Sequence, residues 1–323
     1  MTKITKIFVF FAALLGMAFP AMAGPVPQVR YTVSPLNGES VLDSTLLRQH
    51  VEFLCNPETG GRATGTPGAQ KTALWLEDQF RECKLEPLSG TFLHGFRTSK
   101  GSFGRNVMGY IKGSSVPEKF IVVMAHWDNL GTLNGTLYPG ADSNASGVAA
   151  LLSLARMFAQ MRDCGKTYSL SLLFVALDAK EQGMAGADAL YSFLTKNGLQ
   201  ASLVVNLDQL GSSLAPIHKN RPDYLILLND NADYRQTLER ANMEQGLGLD
   251  LGFDYYGSKD FTTLFYRRIC EQRVFLDHNI PAVMFTSGIT LNNNKPHDTP
   301  ETLDYSLLYR RVCIIYYFLH RLL

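Results

Sequence analysis

Strand-like and helix-like segments take turns through the centre of this chain, and that alternation limits its fold more than any other feature. Runs rich in Val, Ile, Leu or Phe occur at 105–111, 119–126, 168–177, 202–208, 223–228 and 282–286. Helical patterns fall at 144–161, 183–196, 232–245 and 305–322. Such alternation predicts an α/β fold, a mostly parallel mixed sheet with helices on both faces. The uninterrupted apolar run at 170–177 suits a strand buried on both sides. Upstream, 44–55 and 69–83 read as helices, the second with Ala73, Leu74, Leu76 and Phe80 at helical spacing. The Gly, Thr and Pro content of 57–67 marks a loop between them, and 24–38 reads as a loose lead-in.

The first 23 residues read as an export leader and the remainder, 24–323, as a single α/β domain. Lys3 and Lys6 precede an apolar stretch at 7–19, and Ala21-Met22-Ala23 forms an A-x-A cleavage site. The stretch is too short to span a bilayer comfortably, and no later run qualifies. The expected product is secreted or periplasmic, with no membrane span after cleavage. Losing Lys3 and Lys6 shifts the formal charge from +1 to −1. A balance this close to neutral offers no reason to expect nucleic acid as a partner. The five cysteines form no C-x-x-C and no known disulfide framework, which predicts buried thiols with one bridge at most.

Ligands in open α/β sheets bind beyond the carboxyl ends of the strands. His126 closes the run IVVMAH and Asp208 closes LVVNLD. Asp142 lies in PGADSNASG before a helix opened by Asn144 or Ser146, Glu181 follows SLLFVAL, and His297 follows AVMFTS. Five ligand-type residues from five segments are thus expected on one edge of the sheet. Two imidazoles and three carboxylates suit Zn²⁺ better than Ca²⁺ or Mg²⁺, which prefer all-oxygen shells. A carboxylate between two His-bearing half-sites can bridge two metals. Asp128, two residues after His126, is placed to orient its imidazole.

Four segments resemble the co-catalytic zinc aminopeptidases, a superfamily that also holds the zinc glutaminyl cyclases: His126-x-Asp128, Gly140 to Gly147 (GADSNASG), Asn206-Leu207-Asp208 and His297-Asp298-Thr299-Pro300. The resemblance runs from about His126 to Asp304. It implies a three-layer sandwich with two zinc ions per chain, or one. His126 and Asp208 would hold one ion, Glu181 and His297 the other, and Asp142 would bridge them. The implied activity is removal of N-terminal residues from peptide or protein substrates. The alternatives are cyclisation of N-terminal glutamine, or peptide recognition by a catalytically impaired metal site.

The chain departs from that pattern at two places. Lys180 stands where the family carries its general-base glutamate, in LDAKEQGMAG. A lysine with a pKa near 10.4 is protonated at neutral pH, whereas a carboxylate is a ready acceptor. Lys180 can act as an unusual base if desolvated, or Asp178 or Glu271 can take over. Cys270-Glu271-Gln272 occupies the place where the family has Ser-Asp-His, so Glu271 is a candidate catalytic residue by loose alignment. Trp127, Tyr255, Tyr256 and Tyr266 read as structural aromatics, Asp298 as a loop residue satisfying backbone amides, and His218, His278 and His320 as bystanders. Specificity is assigned to loops such as 211–222 and 246–256, and the oligomeric state is not legible.

Overall fold

The computed structural model describes residues 42–214, 221, 223–255 and 257–323. The expected leader, the lead-in, His218, Tyr256 and part of the 211–222 loop lie outside these residues.

Each early helix begins where a side chain can accept a bond from the first turn. Helix α1 (Ser44–Leu54) is capped by Asp43, which accepts from Thr45 N at 2.8 Å. Helix α2 (Pro67–Glu82) is capped by Thr66 and opens on a proline, a residue suited to a first helical position. There follow β1 (Glu86–Pro87), β2 (Leu93–Arg97), β3 (Phe103–Ile111), β4 (Val116–His126), β5 (Gly131–Leu133) and β6 (Thr136–Tyr138). The central crossovers are α3 (Gly147–Asp163), β7 (Leu170–Leu177), α4 (Ala185–Lys196) and β8 (Gln200–Leu207). Then come β9 (Tyr224–Leu228), α5 (Ala232–Glu244), β10 (Asp250–Gly252), α6 (Lys259–Leu264), α7 (Gln272–Leu276), β11 (Ala282–Thr286) and α8 (Tyr305–Leu322).

Among the described residues the main sheet runs β1-β3-β7-β4-β8-β11-β9-β10, with β2 also on β3. The inner strands β7, β4, β8 and β11 are parallel neighbours. The pairs β3–β7 and β11–β9 are antiparallel, so the sheet is mixed. A small hairpin of β5 and β6 stands apart from it.

Alternation along the strands builds a core on each face. On β4, Ile121, Val123 and Ala125 join the cluster that includes α1, α2, α3 and α8, while Phe120, Val122 and Met124 join the one beneath α4 and α7. On β8, Val205 and Leu207 face the first cluster and Val204 the second. The same parity puts His126 and Asp208 on the α4–α7 side. Met124 pairs with Asn206 in parallel register, so two residues further His126 and Asp208 come up side by side.

All six expected strands and six helices are present, the strand at 282–286 and the helix at 305–322 to the residue and the others with shifted ends. The helix expected from 144 begins at Gly147, because residues 141–146 form an irregular turn first. The elements not anticipated are short: β1, β2, β5, β6, β10, α6 and α7. All five cysteines are free thiols, four buried and Cys164 exposed. No helix among the described residues is long and apolar enough to cross a membrane.

Candidate metal centre

Asn144 fastens together the strand ends that carry the site. Its amide nitrogen donates to His126 O at 3.2 Å and Leu207 O at 2.9 Å, bridging the ends of β4 and β8. Its amide oxygen accepts from Gln209 N at 3.0 Å and from Gly147 N at 3.2 Å, the start of α3. Gly147 must be glycine, since a Cβ there would run into the Asn144 amide and the Leu207 carbonyl. Backbone strain sits on the same edge: Ala179, just past β7, has φ 61°, and Gln209, just past β8, has φ 61°.

Asp142 is held rigidly by its neighbours. Its Oδ1 accepts from Gly211 N at 2.8 Å and from Ser146 Oγ at 3.2 Å. Its own N–H and that of Ser143 donate to the Asp298 carboxylate at 2.8 and 3.0 Å. Asp298 therefore satisfies loop amides, as expected, and pins the His297 loop to the Asp142 loop. Burial first, then the Asp298 charge, pushes the Asp142 carboxyl up to about 7. Its second oxygen, Oδ2, is buried with no hydrogen-bond partner. His297 itself is exposed, and Glu181 is half-buried.

Asp128 does a different task from the one expected. The atom nearest His126 Nδ1 is the Asp128 carbonyl oxygen at 3.1 Å, with the carboxylate at 3.7 Å. That carboxylate instead accepts from Lys180 N and Glu181 N, each at 3.0 Å, and so sets the turn after β7. Asp178 is equally committed: it accepts from Thr64 Oγ1, Arg105 N and Ala179 N at 2.7–2.9 Å, which removes it as a free base.

The remaining candidates meet in one buried pocket. His126 Nε2 lies 3.6 Å from Asp208 Oδ1. The Lys180 ammonium lies 3.0 Å from the same His126 Nε2 and 3.3 Å from Asp208 Oδ2. Glu271 is buried, accepting from Asn206 Nδ2 at 3.2 Å through Oε2. Cys270, which the sequence reading did not count among the site residues, brings Sγ to 3.7 Å from Asp208 Oδ2. Asp208, Cys270 and Glu271 are the one group of three or more ligand-type residues, among those described, whose donor atoms lie within 4.8 Å of one another. Burial opposes the Lys180 charge, but Asp208, Glu271, Cys270 and Glu181 outweigh it and raise the ammonium above its ordinary pKa. Lys180 is thus not the deprotonated base that strong desolvation alone would produce. Burial likewise opposes ionisation of Asp208, yet Lys180 and His126 hold its carboxyl below the usual range. For Glu271 burial prevails and the pKa rises.

The donor set fits a cation unevenly. Asp142 Oδ2, Asp208 Oδ1 and Glu271 Oε1 are buried and without hydrogen-bond partners, and a buried anionic oxygen left unpaired is costly. A metal beside Asp142 would satisfy such an oxygen. In the His126–Asp208 half an ammonium already lies against both side chains. Of the five predicted ligands, His126 and Asp208 come together with Lys180, and Asp208 alone belongs to the 4.8 Å group.

The bystanders behave as expected where they are described. Trp127, Tyr255 and Tyr266 are buried. His278 is exposed and stacks on Tyr191, with ring centroids 3.8 Å apart.

Comparison with known proteins agrees with this architecture. Residues 106–319 match the model for peptidase family M28. A probable zinc metalloprotease of Pyrenophora teres f. teres is 33% identical over 148 residues, covering 45% of this chain and 30% of its own length. The chain thus spans well under two thirds of that relative. Among solved structures, BSAP, a zinc aminopeptidase from Bacillus subtilis, matches 88% of this chain and 96% of its own with a TM-score of 0.68 at 13% identity. Fimbriiglobus ruber glutaminyl cyclase matches 87% of this chain and 96% of its own, also at 0.68, with 17% identity. Likenesses this low in identity show a shared fold. The family match, by contrast, spans two thirds of the sequence and takes in every residue from the Asn206–Glu271 pocket to the Asp142 loop: the chain belongs to peptidase family M28.

Proposed function

We propose that the chain is a zinc-dependent, aminopeptidase-like hydrolase acting on peptide or protein N-termini, exported by its leader at 1–23. The observation that carries the reading is Asp142 Oδ2, a buried carboxylate oxygen without a partner, on a loop that Asp298 fastens to the loop bearing His297. Asp142, Glu181 and His297 would hold zinc, with His126 and Asp208 forming the adjoining half. Zinc bound there would polarise the scissile carbonyl and lower the pKa of water.

The chain's own residues supply the rest. Asp298, Gly211 and Ser146 fix Asp142 before any ligand arrives, so no reorganisation is needed there. Asp128 fixes the backbone of Glu181 in the same way. With Lys180 protonated, the proton acceptor is Glu271, whose Oε1 has no hydrogen-bond partner and whose pKa burial raises. A second reading, peptide recognition without efficient hydrolysis, is favoured by the engagement of Lys180 with His126 and Asp208.

Zinc-loaded protein assayed on leucine anilide and on N-terminal glutaminyl peptides tests these readings. Anilide hydrolysis lost in Asp142→Ala is the expected result. Cyclisation alone would replace the aminopeptidase reading with a cyclase. No turnover with zinc still bound would leave recognition.

A further inference from the structure

The His126–Asp208 half contains a cation supplied by the chain. Ligands of one zinc lie about 2.0–2.2 Å from it, and hence within roughly 4 Å of each other. His126 Nε2 and Asp208 Oδ1, at 3.6 Å, meet that condition. Lys180 Nζ contacts both residues, at 3.0 and 3.3 Å. An ion coordinated by this imidazole and carboxylate would lie against the ammonium, with positive charges on both.

The lysine is built into this place. Asp128 Oδ1 fixes its backbone N–H, and its carbonyl accepts from Gly183 N and Met184 N at 3.1 and 3.0 Å, closing the turn that aims the side chain inward. Only 18% of the side chain is exposed. Its ammonium thus reaches Nε2, the ring nitrogen that faces Asp208, while Nδ1 is turned to the Asp128 carbonyl oxygen at 3.1 Å.

We propose that the Lys180 ammonium is the resident cation of the His126–Asp208 half, standing in place of a metal ion there. The zinc measurement below rests on the hydrolase reading; the placement of Lys180 does not.

Two measurements separate them. Zinc per chain, determined on dialysed protein, should be higher by one in Lys180→Ala than in wild type and should fall back in Lys180→Ala/His126→Ala. In metal-free protein, Lys180→Met and Asp208→Asn should each lower the melting temperature by several degrees, and the double variant should recover part of the loss. Two zinc ions in wild type, unchanged in Lys180→Ala, would overturn the proposal. Additive losses in the metal-free cycle would overturn it as well. No zinc in any variant, with the coupling intact, would uphold the resident cation while removing the hydrolase reading.

Discussion

Asp298 shows how much of a site can depend on a residue that touches no ligand. Both of its oxygens are used on the amides of Asp142 and Ser143, and its own carbonyl accepts from Ala141 N at 3.0 Å. Removing the carboxylate would leave two buried donors unsatisfied, each costing about 1–3 kcal/mol. Asp298→Ala is therefore expected to destabilise the fold by a few kcal/mol and to weaken zinc binding on the order of 10–100-fold, the usual penalty for losing a supporting contact. Calorimetric zinc titration of Asp298→Ala and Asp298→Asn checks this; unchanged affinity in the alanine variant would refute it. Lys180 poses the opposite question, whether adding a group improves function. Lys180→Glu removes the ammonium from His126 and Asp208 and supplies a carboxylate in its place. If the chain is a hydrolase short of a base, leucine-anilide turnover should rise on the order of 10²-fold. A fall in turnover would assign the lysine a positive role in the reaction.

At the level of elements, the parts that bear the site were legible because each rests on a local rule. Long apolar runs announced the inner strands, and their ends announced where His126 and Asp208 would lie. The irregular turn at 141–146 was not legible, since it is set by Asn144 bonding carbonyls on two different strands. Nor was the pocket around Glu271, where a short helix folds back on β8 through Asn206 bonds to Glu271 and Gln272, the latter at 2.8 Å. Contacts over 60 residues of separation leave no periodic trace. Even α1, whose helical pattern is plain, conceals a property of its buried face. His50 packs edge-on to Trp75 and is 3% exposed. Burial first, then the Arg156 charge, lowers its pKa to about 4, and neither ring nitrogen has a hydrogen-bond partner. Its unfolded form titrates near 6.5, so the unfolded chain binds the proton first. The stability tied to neutral His50 is present above pH 6.5 and is lost as pH falls through about 4, by about 3 kcal/mol at most. Urea midpoints of wild type and His50→Leu between pH 7 and pH 4 should diverge by this acid-dependent loss, the variant showing the flatter profile. Parallel profiles would show that His50 does not titrate as described.

Over the whole molecule, the sheet is covered on both faces and the site occupies one edge of it, so folding and metal binding draw on different contacts. The two large clusters hold the strands from β3 to β11 without help from the pocket residues. Two buried arginines tie the edges in. Arg62 donates to the carbonyls of Leu54, Trp127, Pro139 and Gly140, joining α1, the end of β4 and the Asp142 loop. Arg311 on α8 donates to those of Leu210, Ser212 and Tyr224. With this frame in place, zinc acts as a ligand of a folded protein rather than as the nucleus of its core, unlike small domains that unfold without metal. A ligand at a hundredfold above its Kd adds about 2.7 kcal/mol, which for a chain of this size raises the melting temperature by roughly 4 °C. Chelation should therefore lower the melting temperature by that amount while leaving the far-ultraviolet circular dichroism at 25 °C unchanged, and restored zinc should return it. Loss of the dichroism signal on chelation would mean that the metal, and not the two-sided sheet, holds the fold together.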